Sequence, residues 1–255
     1  IFCNNSSPSI IECTISNNTI NADGGGIYCD PGSNPTISGC TISDNTAEFG
    51  SGIYCETSSP TISDCSITGN MGVGGAGLFF RWHGTPFMTD CIITGNTSES
   101  FGGGVGSRSS SPTLHNCVVS ENTAEMGSGA GLFFDNSNAT LAQCTMEDNI
   151  SGLSGGGILM TSWSDVTISD CSISGNICHK AYAKGGGIFC TLYSSISIKD
   201  SSITGNNLSY ADDSDNDVYT QGGGIYCDQA SLTMTNCTIS DNAAIRGAGA
   251  SFYYC

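Results

Sequence analysis

Four aspartates in one short segment are the residues whose type and spacing most directly suggest chemistry. The segment NNLSYADDSDNDVYTQ spans residues 206–221, and within it Asp213, Asp215 and Asp217 alternate with other residues. Ca²⁺ prefers several oxygen ligands that converge from one turn, and the alternation resembles the opening of a calcium loop. The Gly and the distant Glu of an EF-hand are missing, and a solvated acidic loop explains the same residues. Calcium is therefore the one cofactor that the sequence leaves open, with these three aspartates as its ligands.

Cysteine is the next chemically distinctive residue type, with 15 copies in 255 residues. Most of them fall in two columns of an internal repeat, so a bridge across one repeat, such as Cys29–Cys40, is one interpretation. Four successive repeats keep the second cysteine but carry Phe, Ser or Met in place of the first, which indicates small buried hydrophobic residues instead. Cys178 lies outside both columns, and we predict Cys178–Cys190 as the best single disulfide. The sequence contains no Cys-x₂-Cys pair, so the cysteine spacing does not suggest a metal site.

The charge balance limits the partners that the chain can bind. Six Lys and Arg residues against 23 Asp and Glu residues give a net charge of −17, which disfavours nucleic acid and anionic membrane surfaces. No stretch has the roughly 20 apolar residues that span a bilayer. The many cysteines and Asn-x-Ser/Thr sequons favour a secreted or cell-surface location, with Asn5, Asn138 and Asn207 as candidate glycosylation sites.

The elements that must position these residues come from an internal repeat. Gly-small-Gly triplets begin nine times, at intervals of 25 to 37 residues: Gly24, Gly50, Gly75, Gly102, Gly129, Gly155, Gly185, Gly222 and Gly247. An aliphatic residue follows the triplets, and other aliphatic or Met residues lie three residues before and two residues after the second cysteine column. This period-two alternation predicts short strands and no helix.

Three strands of three to five residues, joined by tight bends, make one coil that cannot bury its inward face alone. Such coils must stack in register about 4.8 Å apart, and nine of them give a rod ~43 Å long. Connections between parallel strands are almost always right-handed, so we expect a right-handed coil. The sequence therefore predicts an all-β, right-handed parallel β-helix of about nine coils of ~25 residues, with three short strands per coil. Residues 1–255 are expected to form a single domain, either a segment of a longer chain or a protomer that stacks on its copies.

One asparagine per repeat supports the stacking. It lies five residues after the second cysteine position in all nine repeats, as Asn18, Asn45, Asn70, Asn96, Asn122, Asn149, Asn176, Asn206 and Asn242. An amide both donates and accepts hydrogen bonds, so an in-register column can form a ladder along the rod. The residue before each of these asparagines is of a type that favours turns and positive φ.

The repeat resembles the passenger repeats of bacterial polymorphic outer-membrane proteins, which pair a GGA-aliphatic motif with Phe-x-x-Asn. Gly24–Ile27 and Ile42–Asn45 occupy the equivalent positions, with Gly in place of Ala and Ile in place of Phe. Such short motifs recur in many secreted right-handed β-helix repeat proteins of the pectate-lyase-like superfamily. The resemblance covers essentially the whole chain and implies a cell-surface, adhesin-like or structural role. It carries over no catalytic residue.

Enzymes of that superfamily make catalysis an alternative. Polygalacturonase-like sites need clustered Asp with His and a basic residue, and lyases of this class need Arg or Lys beside Ca²⁺-binding carboxylates. In this chain the histidines His83, His115 and His179 and the six basic residues are scattered over different repeats. The sequence therefore predicts that the protein is not an enzyme and has no catalytic residues.

An outward-facing aromatic row is the first candidate binding surface. The residue between the aliphatic and the cysteine column of the first strand is aromatic in seven of nine repeats, as Phe2, Tyr28, Tyr54, Phe79, Phe133, Phe189 and Tyr226. Strand alternation points this row away from the core, which predicts an exposed apolar stripe. Such a stripe favours contact with another protein, and stacking against sugar rings is the alternative.

A second candidate surface consists of Ser and Thr residues at the outward positions around the second cysteine column. It resembles an ice-binding face, but Ile92, Val118 and Glu147 interrupt it. Ordinary strand propensity explains the same residues.

These features together predict a non-enzymatic, extracellular structural or adhesive rod that is part of a surface adhesin or an assembled fibre. Its expected partners are copies of itself, end to end or side by side, or another surface protein, with glycans as a further class. No nucleic acid and no membrane insertion is expected. A glycan-binding or polysaccharide-processing β-helix is the alternative function, and an ice-binding protein is a further one.

Overall fold

The computed structural model describes residues 1–209 and 220–255. These residues form 35 short strands and no helix, in four parallel sheets of ten, nine, nine and seven strands. Each strand pairs in register with its equivalents one repeat away, as Ile67 does with Ile42 and Ile93. The predicted right-handed parallel β-helix is confirmed. The predicted calcium ligands Asp213, Asp215 and Asp217 lie outside the described residues.

The first sheet contains Phe2–Cys3, Ile27–Cys29, Ile53–Glu56, Leu78–Arg81, Val105–Arg108, Leu132–Asp135, Ile158–Thr161, Ile188–Thr191, Ile225–Asp228 and Ala250–Tyr253. The second sheet contains Ser9–Ile11, Thr36–Ser38, Thr61–Ser63, Phe87–Thr89, Thr113–His115, Asn138–Ala142, Asp165–Ser169, Ser195–Lys199 and Ser231–Thr235. The third sheet contains Thr14–Ser16, Thr41–Ser43, Ser66–Thr68, Ile92–Thr94, Val118–Ser120, Thr145–Glu147, Ser172–Ser174, Ser202–Thr204 and Thr238–Ser240. The fourth sheet contains Thr46–Phe49, Met71–Gly74, Thr97–Phe101, Thr123–Ala124, Ile150–Ser151, Ile177–Cys178 and Asn207–Leu208.

The aliphatic columns of the repeat fill the interior of the coil. In one coil Ile53, Ile62 and Ile67 point inward from the first, second and third sheets, and all three are fully buried. Full burial of such a side chain contributes about 1.5–3 kcal/mol. Because the same three positions are aliphatic or Met in nearly every repeat, the core is one continuous column along the rod.

A short fourth strand follows the ladder asparagine in seven coils, in addition to the three strands that alternation predicts. Its inward positions carry small side chains, such as Ala47, Ser98, Ala124 and Ser151, which are all buried. This segment therefore lacks the alternation of large apolar and polar residues, so the sequence pattern does not predict the fourth strand.

The asparagine column forms the predicted ladder. Eight hydrogen bonds of 2.9–3.0 Å join the Nδ2 of each ladder asparagine to the Oδ1 of the next. Each Oδ1 also accepts the backbone N–H of the preceding ladder residue at 2.9–3.1 Å. From Asn45 to Asn206 the side chains are fully buried, so these bonds compensate amide groups that would be costly to leave unpaired.

Residues with positive φ occur at several bends of each coil. The residue before every ladder asparagine has φ between 53° and 66°, as its residue type predicts, in Asn17, Asp44, Gly69, Gly95, Glu121, Asp148, Gly175, Gly205 and Asp241. The Gly triplet forms the bend that leads into the first sheet, where neighbouring coils approach closely. A Cβ on Gly131 would lie 2.5 Å from Gly157 O and 3.0 Å from the Nδ2 of ladder residue Asn149.

Candidate functional site

The aromatic row of the first sheet is not the exposed stripe that alternation predicts. The Tyr54 side chain is only 1% exposed, and the Phe79 ring lies 5.3 Å from the ring of Phe49, which ends a strand of the fourth sheet. The Phe133 ring lies 4.5 Å from that of Phe101, which has the same place in another coil. The end of the fourth-sheet strand therefore packs on the outer face of the first sheet, so this row forms a second, smaller core.

The prediction of exposure is therefore wrong for most of the row. Phe2 is exposed, Tyr28 and Phe189 are half-buried, and Tyr54, Phe79, Phe133 and Tyr226 are buried. A partner that stacks on aromatic rings has no access to the buried members.

Polar groups close the edge of this smaller core. The Tyr28 hydroxyl donates to Glu56 Oε2 at 3.0 Å, and burial together with this carboxylate raises the pKa of Tyr28. Burial also raises the pKa of the Asp23 carboxyl, although hydrogen bonds with the Phe49 backbone and the Tyr54 hydroxyl oppose the rise. Asp23 is therefore a carboxylate that the fold holds partly away from water.

The second cysteine column forms a ladder of thiols at the bend between the second and third sheets, and its members from Cys40 to Cys171 are buried. The Cys40 N–H donates to Cys65 Sγ at 3.4 Å, and Cys65 Sγ donates to Ser63 O at 3.1 Å. Where a serine replaces the cysteine, the Cys171 N–H donates to Ser201 Oγ at 3.0 Å in the same way. The column therefore connects bends of adjacent coils, which is a structural role.

The predicted Cys178–Cys190 disulfide is wrong, because all 15 cysteines are free thiols. Cys178 packs with Ala183 and Leu208 inside the fourth-sheet bend, whereas Cys190 belongs to the main core. The two thiols lie in separate clusters. Complete burial raises the pKa of Cys178 to about 12, so it is not an activated nucleophile.

The titratable side chains of the surface are dispersed over the rod. His83 lies at the bend after a first-sheet strand, His115 in the second sheet and His179 after a fourth-sheet strand, and all three are exposed. Hydrogen bonds from Asn116 and Thr89 lower the pKa of the Asp90 carboxyl.

Asp200 shows the same effect, because hydrogen bonds from Asn236 and Lys199 lower its pKa. Asp170 and Asp200 line an open polar depression of about 530 Å³.

Within residues 1–209 and 220–255, no group of three or more His, Cys, Asp or Glu side chains is placed to hold a metal ion. None of the described segments contains a helix long and apolar enough to cross a membrane.

An exposed aromatic pair lies at the bend between the first and second sheets. The rings of Trp163 and Tyr193 stack with centroids 4.8 Å apart and an interplanar angle of 23°. The side chains are 69% and 58% exposed, and the backbone φ angles are +66° and +62°, which is rare for bulky residues. We call these two residues the aromatic ridge.

The aromatic ridge lies where two successive coils have one residue more at this bend than the coils on either side. Asp135 and Thr161 are in register, and so are Ser137 and Ser164, because the Ser137 N–H donates to Ser164 Oγ at 3.1 Å. One residue separates Asp135 from Ser137, but two separate Thr161 from Ser164, and the added residue is Trp163. The ridge is absent from the sequence-based predictions; a bulky aromatic residue at the longer form of this bend in two adjacent repeats is the signal that could have revealed it.

The comparison with protein families agrees with this architecture. The family model described as a right handed beta helix region matches residues 1–153 and 107–255, which together span the chain. The chain belongs to the right-handed β-helix family. Searches of the curated proteins and of the solved structures returned no significant match. Right-handed β-helix regions occur both in pectate-lyase-like enzymes and in proteins that are not enzymes.

The flat faces of this β-helix carry mainly Ser and Thr. On the third sheet, Ile92, Val118 and Glu147 interrupt the row, and Ile92 is exposed. The second sheet has an outward row that is richer in threonine, made of Ser9, Thr36, Thr61, Phe87, Thr113, Thr140, Thr167, Ser197 and Thr233.

The candidate glycosylation sites differ in accessibility on the β-helix. Asn5 and Asn138 are exposed, and Asn207 is half-buried in the fourth sheet. Two other sequon asparagines, Asn96 and Asn149, are fully buried members of the ladder. Access therefore favours Asn5 and Asn138 as glycan acceptors.

Proposed function

We propose that this β-helix is a non-enzymatic, extracellular structural rod that acts as part of a surface adhesin or an assembled fibre. The observation that carries the proposal is the uninterrupted asparagine ladder, together with sheets that stay in register along the rod. Separation of two coils would break backbone bonds in several sheets and the ladder bonds at the same time. Such a molecule resists bending and is suited to hold a surface at a distance.

The surface electrostatics support a role without catalysis. Asp90 and Asp200 have lowered pKa values, so they remain ionised and are poorly suited to act as general acids. From Cys40 to Cys171 the cysteine ladder is buried, and its thiols serve as hydrogen-bonding groups at the bends.

Exposed apolar side chains on the sides of the rod support lateral contacts with copies of the chain or another surface protein. Met71 lies on the fourth sheet, Phe87 on the second and Ile92 on the third, and all three are exposed. Single apolar residues are common on soluble proteins, but rods that align side by side bring many of them together. The accessible sequons at Asn5 and Asn138 are consistent with an extracellular location.

Electron microscopy of the purified chain and of native material tests the rod, and surface-protease treatment of intact cells tests the location. We expect straight particles at least ~43 Å long that align into bundles or fibres, and a protein that is cleaved at the cell surface. Sedimentation velocity should show weaker self-association for Ile92→Ser, while the adjacent Thr94→Ser serves as the control. Dispersed particles with no association, protection inside the cell, or release of reducing ends or unsaturated products from a polysaccharide panel would each contradict the proposal.

A further inference from the structure

We propose that the aromatic ridge, Trp163 and Tyr193, binds neutral sugar rings of a polysaccharide. This inference goes beyond the proposed rod function, because it assigns a ligand class to a site that the rod itself does not need. Coils without the insertion make the same bend with one residue fewer, as Asn136 does between Asp135 and Ser137. The two added residues therefore do not serve to close the coil.

The backbone of the aromatic ridge is held in a conformation that its residues disfavour. Trp163 and Tyr193 both have positive φ, and their N–H groups donate to Leu192 O at 3.0 Å and Gln229 O at 2.6 Å. These bonds to the following coil fix the bulge and direct both side chains into solvent. Unfavourable backbone conformations that the surrounding structure maintains are concentrated at binding and catalytic sites.

Next to the aromatic ridge, the structure forms a depression with the dimensions of a single ring. Its volume is about 260 Å³, and its lining residues are Tyr193, Ser194, Gln229, Ala230, Ser231 and Tyr254. Gln229 occupies the coil after Tyr193, and Tyr254 the next one. Two coil spacings are about 9.6 Å, which leaves room for one ring in contact with an aromatic residue on each side. The volume lies below the ~300–1,000 Å³ of pockets for drug-sized ligands.

The chemistry of the site favours a neutral sugar. Aromatic faces pack against the C–H groups of a sugar ring, while the Gln229 amide and the Ser162 hydroxyl lie at the same bend and can bond to sugar hydroxyls. The ionisable side chains that flank the bend, Asp165 and Asp228, are acidic, and the net charge of the chain is −17. Anionic polysaccharides are therefore repelled. The depression beside the ridge has room for about one ring and not for a row of apolar peptide side chains, which disfavours a protein ligand.

Isothermal titration calorimetry with the full chain tests the proposal. The probes are the neutral hexasaccharides cellohexaose and chitohexaose, with hexagalacturonate as the anionic comparison. Wild type should bind at least one neutral probe. Trp163→Ala and Tyr193→Ala should each lower the association constant about tenfold, and Trp163→Phe, which keeps a ring, should lower it about threefold or less.

Trp82 provides the matched control. It lies at the same bend in another coil, at the position of Ser162, and is 39% exposed, but its ring is covered by the Arg81 guanidinium 4.0 Å away instead of a second ring. Trp82→Ala should change the association constant less than about twofold. In a Trp82→Phe background, a neutral probe should change the fluorescence of the remaining Trp163.

Three results would overturn the sugar site in protein whose circular dichroism and melting temperature match wild type. They are no binding of either neutral probe at millimolar concentration, unchanged binding by a Trp163→Ala/Tyr193→Ala double variant, and hexagalacturonate affinity equal to that of the neutral probes. None of these results alters the length or the bundling of the rods in electron micrographs. Failure of the sugar site is therefore distinguishable from failure of the rod function.

Discussion

Replacement of Asn122 by alanine removes the side chain at the middle of the asparagine ladder. Its Nδ2 donates to Ile93 O at 2.9 Å and to Asn149 Oδ1 at 3.0 Å. Its Oδ1 accepts the backbone N–H and the Nδ2 of Asn96, both at 3.0 Å. The residue is fully buried, so water cannot replace these four bonds without opening the coil.

The expected loss of stability follows from the groups left behind. The substitution deprives the Ile93 carbonyl and the backbone N–H of Asn96 of the partner that Asn122 supplies. A buried polar group without a partner costs about 1–3 kcal/mol, so two such groups cost about 2–6 kcal/mol. The loss is a large share of the about 5–15 kcal/mol by which most domains are stable. Because each coil of a solenoid contacts only its neighbours, the loss acts at the interfaces of one coil with the coils on either side.

Asn18→Ala is the control, because this residue is the exposed member at one end of the ladder. Asn18 Nδ2 donates to Asn45 Oδ1 at 2.9 Å, but water reaches the groups that the substitution would leave. We expect a loss of about 0.5 kcal/mol or less. Urea unfolding followed by far-ultraviolet circular dichroism measures both variants. Equal losses, or a loss below about 1 kcal/mol for Asn122→Ala, would refute the reasoning that the ladder stabilises the coil stack.

Three further predictions concern packing, charge and thiols. Gly131→Ala should destabilise by about 1–3 kcal/mol in thermal unfolding, because its Cβ would meet Gly157 O, whereas Gly249→Ala, in the same column but with no atom closer than 3.4 Å, should cost less. The raised pKa of Asp23 means that its favourable contribution is lost as pH rises through the folded-state pKa, so Asp23→Asn should raise the melting temperature at pH 7 and not near pH 3. The lowered pKa of Asp90 has the opposite effect on stability, so Asp90→Asn should lower the melting temperature at pH 7. A thiol reagent without reductant should rapidly label two exposed cysteines and one half-buried cysteine in native protein, and 15 after unfolding; fewer than 15 would indicate disulfides.

The coil stack was predictable because its determinants recur at fixed spacing. The interval from the second cysteine position to the ladder asparagine is five residues in every repeat, and the structure connects all nine asparagines. The burial of Ile53, Ile62 and Ile67 follows from alternation in the same way. Local pattern is sufficient where each residue contacts its own equivalents in the adjacent coils.

The outer face of the first sheet was not predictable by the same argument. Alternation establishes that Tyr54 and Phe79 point away from the core, but not whether another segment covers them. The covering segment has an aromatic residue at Phe49 and Phe101 and mostly small or polar residues elsewhere, so it lacks a recurrent apolar signal. The disulfide prediction failed for a related reason, because Cys178 belongs to the small cluster inside this same part of the coil.

The two kinds of bend explain where a repetitive rod can acquire a specific function. At the cysteine and asparagine bends, side chains bond from coil to coil, and an added residue would break the ladder on both sides. At the bend between the first and second sheets, Trp163 and Tyr193 are accommodated while Ser137, Ser164 and Ser194 still connect successive coils. Insertions therefore accumulate where the ladders do not constrain length. A change of residues at this bend is compatible with an unchanged rod, so the proposed sugar site and the proposed structural role do not exclude each other.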